Sequence, residues 1–311
     1  MSGLTRQIIS QIAYRLGFVG SQDALIAARD TLLASEVVAE QEKALLRRVS
    51  LDIHRHDDMY VPGHAEHYLT VGLSALSAIT EALHASGRPL SISPVPASPV
   101  PVSFGPVSSG PVTSILDFSC GYGRVLRMLK AQFSETDIFA SELNSKALAY
   151  CESVFSVQGF QSNVDFKQIE KIGQFDLIWC SSLIPHIDES SATDLLRFFH
   201  QNLAPGGVCV FSTHGLKSLE ALQAGLFSYN LSAKAQQEVL AGYRHGGFGF
   251  GNYRFREGYG ISLSSREKIE AMAASVGDWS EVMFKPSGWD NHQDLFAFCR
   301  INEAVADKVE E

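Results

Sequence analysis

The sequence predicts an α/β protein built on a doubly wound, mostly parallel sheet, and three observations carry that prediction. From Val112 to Thr213 short apolar runs alternate with amphipathic helical stretches, the order that right-handed parallel crossovers produce. The runs Ile115-Leu116-Asp117-Phe118 and Asp176-Leu177-Ile178-Trp179 are almost continuously apolar, as strands covered on both faces are. The first run ends in an acid, a Gly-x-Gly turn and a helix: Asp117-Phe118-Ser119-Cys120-Gly121-Tyr122-Gly123-Arg124.

The composition allows this fold and excludes several others. The 311 residues are enough for one large domain or two ordinary ones, and with 45% hydrophobic and 19% charged residues the chain can bury a core. A net charge of -9 with no basic block argues against a dedicated nucleic-acid binder, which must neutralise phosphates. No apolar stretch approaches the roughly 18 residues of a membrane span. The opening MSGLTRQIIS lacks the continuous apolar run of a secretory leader. The five cysteines are scattered, with no CxxC pair, which argues against a disulfide framework or structural zinc and fits a reducing cytoplasm.

The elements follow in order. Ile8, Ile9 and Ile12 begin a helical stripe; a second helix follows Ser21, with Leu25, Ala28 and Leu32 on one face. Val37 to Ile53 predicts a third helix, and His64 to Leu83 a fourth, with Leu69, Leu73, Leu76, Ile79 and Leu83 at helical spacing. Residues 91–111 carry six of the eleven prolines and read as a linker. Then come a strand at 112–118, a helix at 124–133, a strand at 137–140, a helix at 144–155, a weak strand at 164–167, a strong one at 175–180, a helix at 192–203 and a strand at 206–213. Residues 216–260 break the alternation and contain the Gly- and aromatic-rich run GYRHGGFGFGNYRFREGYG. A helix around Ile269–Ala274 and strands at 279–284 and 295–299 close the chain. The expected layout is a helical N-terminal section (1–90), the Pro-rich linker (91–111), an α/β core (112–215 and 261–301) and a mid-chain cap insertion (216–260).

The glycine turn points to a ligand at the carboxyl edge of the first strand. Glycines let a ligand approach the backbone, and the helix start offers free N–H groups. A dinucleotide fingerprint needs a third glycine at position 126, where Leu126 stands, so NAD or FAD binding is disfavoured. Instead the run resembles the first motif of class I S-adenosylmethionine-dependent methyltransferases. Further matches follow: Glu142, which closes the second strand; Phe175 to Cys180, resembling the fourth; and Leu203-Ala204-Pro205-Gly206-Gly207, resembling the turn before the fifth. The flanks (Asp58-Met59-Tyr60, His67-Tyr68, the CGYGR turn and Trp289 to Asp294) resemble a bacterial branch that accompanies carbohydrate-modifying enzymes.

This resemblance implies a seven-stranded sheet with its last strand antiparallel, and S-adenosylmethionine as cofactor. It makes Asp117, Ser119, Cys120, Gly121, Gly123 and Arg124 the glycine-loop contacts, with a plain surface role as the alternative for Arg124. Glu142 becomes the ribose-binding acid, with Leu143 beside the adenine. Gln168 and Ile169 fall where many members carry an adenine-binding acid, so this chain departs from the pattern there. Cys180 and Ser181 end the fourth strand beside the sulfonium.

Two histidines, His186 and His214, follow the fourth and fifth strands and are candidate bases or acceptor contacts, because imidazole titrates near neutrality; the alternative is a structural role. Tyr60 and Tyr68 are candidates to stack over the ligand from an N-terminal lid. Arg244, Tyr253, Trp289 and His292 are candidate acceptor contacts from the cap and the last turn. No metal is expected: His54, His56, Asp57, Asp58, His64 and His67 lie close in sequence, but no third ligand is set by spacing. The expected reaction is methyl transfer to an oxygen or nitrogen of a small molecule, such as a sugar, with neither nucleic acid nor membrane as partner. The alternatives are a protein methyltransferase, a non-catalytic cofactor-binding subunit, or a nicotinamide-dependent oxidoreductase.

Overall fold

The structure is a computed structural model and describes residues 21–88 and 110–301. The stripe at Ile8, Ile9 and Ile12 and nearly all of the Pro-rich segment lie outside the described residues.

Helix α1 (Ser21–Ala34) buries Leu25, Ala28 and Leu32, the face its spacing predicts. Helix α2 spans only Glu40–Leu46, not Val37 to Ile53, and α3 is Ala65–Ala85. Strand β1 (Ser114–Phe118) leads through the glycine turn to α4 (Leu126–Gln132), β2 (Asp137–Glu142), α5 (Ser145–Phe155) and β3 (Gln158–Gln161). Next come β4 (Phe175–Cys180), α6 (Glu189–Asn202) and β5 (Leu203–Thr213), then α7 (Leu216–Gln223) and α8 (Ala233–Gly246). The chain ends with β6 (Phe248–Tyr253), β7 (Arg256–Ser264), α9 (Arg266–Ala274), β8 (Trp279–Trp289) and β9 (Gln293–Arg300).

Seven strands form one sheet in the order β3-β2-β1-β4-β5-β9-β8, and β6 and β7 form a separate two-stranded sheet. The pairs β2–β3, β1–β4 and β4–β5 are parallel, while β9 runs antiparallel to β5 and to β8. This is the expected mixed sheet with its last strand antiparallel. Strand β4 is buried along almost its whole length and β9 along nearly all of its own, which explains their unbroken apolar sequence.

One expected strand differs. The third strand lies at Gln158–Gln161, whereas Phe166–Gln168 is a single 3₁₀ turn. The side chain of Asp165 accepts from the amide of Lys167, and Asn163 accepts from that of Asp165. These local side-chain bonds compete with strand formation. The Gly-aromatic run, to which the sequence assigns no element, ends α8 and then forms the β6–β7 ribbon. Its glycines admit the helix, since a Cβ on Gly249 would collide with the Val239 carbonyl of α8.

The chain divides into two compact units, Met1–Ser77 with Ser119–Gln161, and Ala78–Phe118 with Ser162–Glu311. In the first, Arg127 on α4 is 1% exposed. Its Nη1 donates to the carbonyls of Ser50 (2.8 Å) and Asp52 (3.0 Å), its Nη2 to the Tyr68 hydroxyl (3.1 Å), and its Nε to the Gly123 carbonyl (3.2 Å). The Tyr68 hydroxyl in turn donates to Asp57 at 2.6 Å. This accounts for the short α2: the carbonyls of Ser50 and Asp52 satisfy Arg127 and not helical amides.

In the second unit, Phe118, Trp179, Phe199, Phe211 and Phe296 are fully buried around β1, β4, β5 and β9. A smaller core of Leu219, Leu222, Leu231, Val239, Ile261 and Leu263 lies under residues 216–264. Buried Arg88 pairs with Asp176 at 2.9 Å and donates from Nε to the Gly206 carbonyl at 2.8 Å. Burial alone would raise the Asp176 carboxyl. The Thr113 amide and hydroxyl, both donating at 2.8 Å, and the Arg88 guanidinium outweigh it and hold the group below the usual range. Removing one partner of a buried pair leaves a charge without compensation, so Arg88→Met should destabilise the protein by about 2–4 kcal/mol. Adding Asp176→Asn should then change little. Urea unfolding of the three proteins measures both effects.

Candidate functional site

The glycine turn belongs to the first unit. Ser119, Gly121 and Gly123 all have positive φ, at 64°, 56° and 85°. A Cβ on Gly123 would strike the ring of Phe155, so that residue must be glycine. A Cβ on Gly121 would meet nothing within 4 Å, so its backbone is open to an approaching group. Glu142, at the end of β2, fixes the turn: Oε2 accepts from the Gly121 amide at 2.9 Å and Oε1 from the Asn144 amide at 3.0 Å. The Cys120 amide donates to the Ser141 carbonyl at 3.0 Å. Tyr122 stacks on His54, with ring centroids 4.5 Å apart and planes 4° from parallel, and Tyr150 meets both rings edgewise or tilted. Leu143 is exposed beside Glu142.

The ends of β1, β4 and β5 belong to the second unit. Asp117 lies buried in β1 opposite Trp179 of β4. Cys180 ends β4 with its thiol buried, which pushes it well above its usual range. Ser181 is half-buried.

His186 sits in the 3₁₀ turn Ile184–His186. Its Nδ1 lies 2.9 Å from the Gly260 carbonyl. A carbonyl can only accept, so Nδ1 carries the hydrogen and Nε2 keeps the lone pair. His214 follows β5 and is 3% exposed. Burial, with the nearby His186 and His292, drives its pKa down to about 3. Burial also lowers His186 and His292, so all three are held neutral. Their rings pack with Tyr229, Tyr253 and Tyr259: His214 lies 5.2 Å from both Tyr229 and His292, and His186 stacks on Tyr259 at 5.3 Å.

The model of a family described as "Methyltransferase domain" matches residues 92–277, more than half of the chain. The chain belongs to this methyltransferase family. No curated protein matches its sequence. Among solved structures, it is similar to an S-adenosylmethionine-dependent methyltransferase from Clostridium acetobutylicum, at 15% identity over 61% of this chain and 85% of that one, TM-score 0.44. It is also similar to magnesium protoporphyrin IX methyltransferase from Synechocystis with bound S-adenosylhomocysteine, at 11% identity, 95% and 99% coverage and TM-score 0.44. An O-methyltransferase family protein from Burkholderia thailandensis shows 14% identity, 97% and 77% coverage and TM-score 0.45.

The methyltransferase takes S-adenosylmethionine as its cofactor, and the glycine turn has the chemistry for it. The uncovered Gly121 backbone leaves room for a ligand. Each Glu142 oxygen accepts one amide and retains a lone pair for a hydroxyl.

Several candidate residues stand elsewhere. Tyr60 and Tyr68 are each 1% exposed; they pack edge to face with each other, and the Tyr68 hydroxyl is committed to Asp57 and Arg127. Neither ring offers a face for stacking. Trp289 is buried edge-on against Trp179 at 6.0 Å, a core contact. Arg244 is exposed in the last turn of α8, and no described contact joins it to the histidines. The Gln168 side chain bonds Asp165 and Asn163, closing its own turn, and Ile169 is half-buried. Arg124 is half-buried in the first unit.

His54 lies in irregular chain against Tyr122, and the Asp57 carboxylate turns inward. Sequence reasoning missed Tyr122, Tyr229 and Arg127. Tyr122 meets His54, and Tyr229 meets His214 and His292, only through tertiary contacts. Arg127 stands in an apolar helix, Leu126-Arg127-Met128-Leu129, where nothing marks it as buried. Among the described residues no helix is long and apolar enough to cross a membrane.

The histidine cluster sets a pH dependence. The unfolded chain protonates His214 near the ordinary histidine value of 6.5, while the folded chain refuses the proton until about 3. Between those values the unfolded state binds more protons, so stability is full above about pH 6.5 and falls as the pH drops, at up to about 1.4 kcal/mol per pH unit for one such group. His214→Phe should flatten this part of the profile, as followed by chemical denaturation from pH 7 to pH 4.

Proposed function

We propose that the protein transfers a methyl group from S-adenosylmethionine to an oxygen of a small-molecule acceptor, such as a sugar hydroxyl, with nitrogen acceptors as the second class. The observation that carries this reading is the tautomer of His186. Its Nδ1 is committed to the Gly260 carbonyl, and its pKa is lowered by burial, so the ring keeps a free lone pair at neutral pH. A neutral imidazole can take the proton that a hydroxyl nucleophile must lose.

The roles divide as follows. Glu142 holds the ribose hydroxyls through its remaining lone pairs, with Leu143 beside the adenine. Gly121 and Gly123, with Ser119, Cys120 and Arg124, pass under the cofactor's methionine part, and Asp117 orders that turn. Cys180 and Ser181 border the sulfonium. When bound, the sulfonium presents an activated methyl group, so the chain's task is alignment and exclusion of water. His186 accepts the acceptor's proton at Nε2. His214 and His292, kept neutral, and Tyr253 line the acceptor's side as hydrogen-bonding and stacking groups, and residues 216–260 serve as the cap that carries part of them. Rings and neutral imidazoles suit stacking on and hydrogen bonding to a polar acceptor, with Arg256 over Tyr259 adding a cation beside them.

Calorimetric titration with S-adenosylhomocysteine, with NADH in parallel, tests the cofactor. Micromolar binding of S-adenosylhomocysteine alone is the expected result; NADH alone would replace this reading with the oxidoreductase one. Glu142→Ala should weaken S-adenosylhomocysteine by about 1–3 kcal/mol through lost charged hydrogen bonds. Glu142→Gln should also weaken it, because one amide N–H would then face the Gln NH₂. Screening sugar, phenol and amine acceptors with His186→Ala as control tests the acceptor. Loss of hydroxyl methylation with cofactor affinity unchanged is the outcome expected of a base.

A further inference from the structure

The turn that leaves β4 holds a strained residue. Ser182 has a φ of 55°, in the left-handed region that non-glycine residues enter rarely and at a cost of order 1 kcal/mol or more. Such strain persists only where the surroundings impose it. Here three hydrogen bonds impose it. The Ser182 amide donates to Ser212 Oγ at 2.8 Å. The Ser212 hydroxyl donates to Gln293 Oε1 at 2.6 Å. Gln293 Nε2 donates back to Ser182 Oγ at 2.8 Å. Ser212 is fully buried and Gln293 nearly so. The ring closes with every donor facing an acceptor, the condition under which a buried polar network rigidifies its surroundings.

The three members come from separate parts of the second unit: the turn after β4, the carboxyl end of β5 and the first residue of β9. The antiparallel last strand thus delivers a side chain to the carboxyl edge of the parallel strands, where open α/β sheets bind ligands. An amide suits the position. It offers an acceptor to Ser212 and a donor to Ser182 from one side-chain end, which neither a carboxylate nor an ammonium can do.

We propose that Gln293 is a positioning residue: through Ser212 it holds the Ser181–Ser182 turn in its left-handed form, the form that receives the methyl-bearing end of S-adenosylmethionine. The holding role stands on the hydrogen bonds; the receiving role rests on the cofactor assignments given above.

The test uses glycine, which takes the left-handed conformation freely. Gln293→Met keeps the bulk and removes both hydrogen bonds. It should weaken S-adenosylhomocysteine about tenfold or more in calorimetry, and speed hydrogen exchange at the Ser182 amide about tenfold. Adding Ser182→Gly should bring affinity back to within about threefold of wild type, which a general structural role for Gln293 would not predict. Should Gln293→Met fail to fold, Gln293→Asn, too short to reach both serines, takes its place with the same expected loss and rescue. Unchanged affinity and exchange in the single variant, or no rescue by glycine, would overturn the proposal. If wild-type protein binds no S-adenosylhomocysteine, the cofactor assignments fail and the receiving role with them, while the exchange measurement still decides the holding role.

Discussion

After β1 the chain must reverse direction and start a helix within eight residues, and it does so through positive φ at Ser119, Gly121 and Gly123. That conformation turns the Gly121 amide away from any helical or strand partner. The carboxylate of Glu142 accepts it at 2.9 Å. Much of the first unit follows from this contact. The anchored turn sets the start of α4, which buries Arg127 in the core, and Arg127 collects the carbonyls of Ser50, Asp52 and Gly123 and the Tyr68 hydroxyl. The segment leading from α2 to α3 is therefore shaped by the helix after the glycine turn, and it brings His54 onto Tyr122. One carboxylate thus connects the glycine turn with the packing of the N-terminal helices.

The second unit rests on a different balance, between burial and charge. Arg88 is buried and Asp176 half-buried; their ion pair and the Thr113 donors keep the carboxylate ionised. The histidines at the carboxyl edge are buried without such partners and so stay neutral. This division suits methyl transfer. The electrophile is supplied by the cofactor, and the protein needs a dry, well-ordered surface with a lone pair in the right place, for which a neutral imidazole serves better than an imidazolium. The glycines of the β6–β7 ribbon contribute indirectly. They let α8 settle on the ribbon, and the ribbon then offers the Gly260 carbonyl that fixes the tautomer of His186.

Much of the sheet was legible because its signals are local. The runs at 114–118 and 175–180 announce buried strands, the Gly-x-Gly turn announces positive φ, and Glu142 stands at a strand end next to that turn. Other positions misled for equally physical reasons. Val164 to Lys167 has strand-like residues, but Asn163 and Asp165 bond their own backbone. Tyr60 and Tyr68 have the composition of a stacking lid, but an aromatic ring beside an apolar helix face is equally suited to a core, and the buried Arg127 drew Tyr68 inward. Trp289 looked like a contact in a polar turn and is a core residue against Trp179.

The sequence by itself determined the fold class, the order of the parallel strands' motifs and the place of the glycine turn, because periodicity, glycine and strand-end acids act within a few residues of one another. Only the tertiary structure decided which polar groups became partners. Arg127 with Tyr68, Ser182 with Gln293 and His186 with Gly260 are separated by 59, 111 and 74 residues, and no local preference encodes a bond between groups so far apart. Whether a buried polar residue is a clamp, a base or a strut depends on which donor or acceptor the folded chain places within about 3 Å of it.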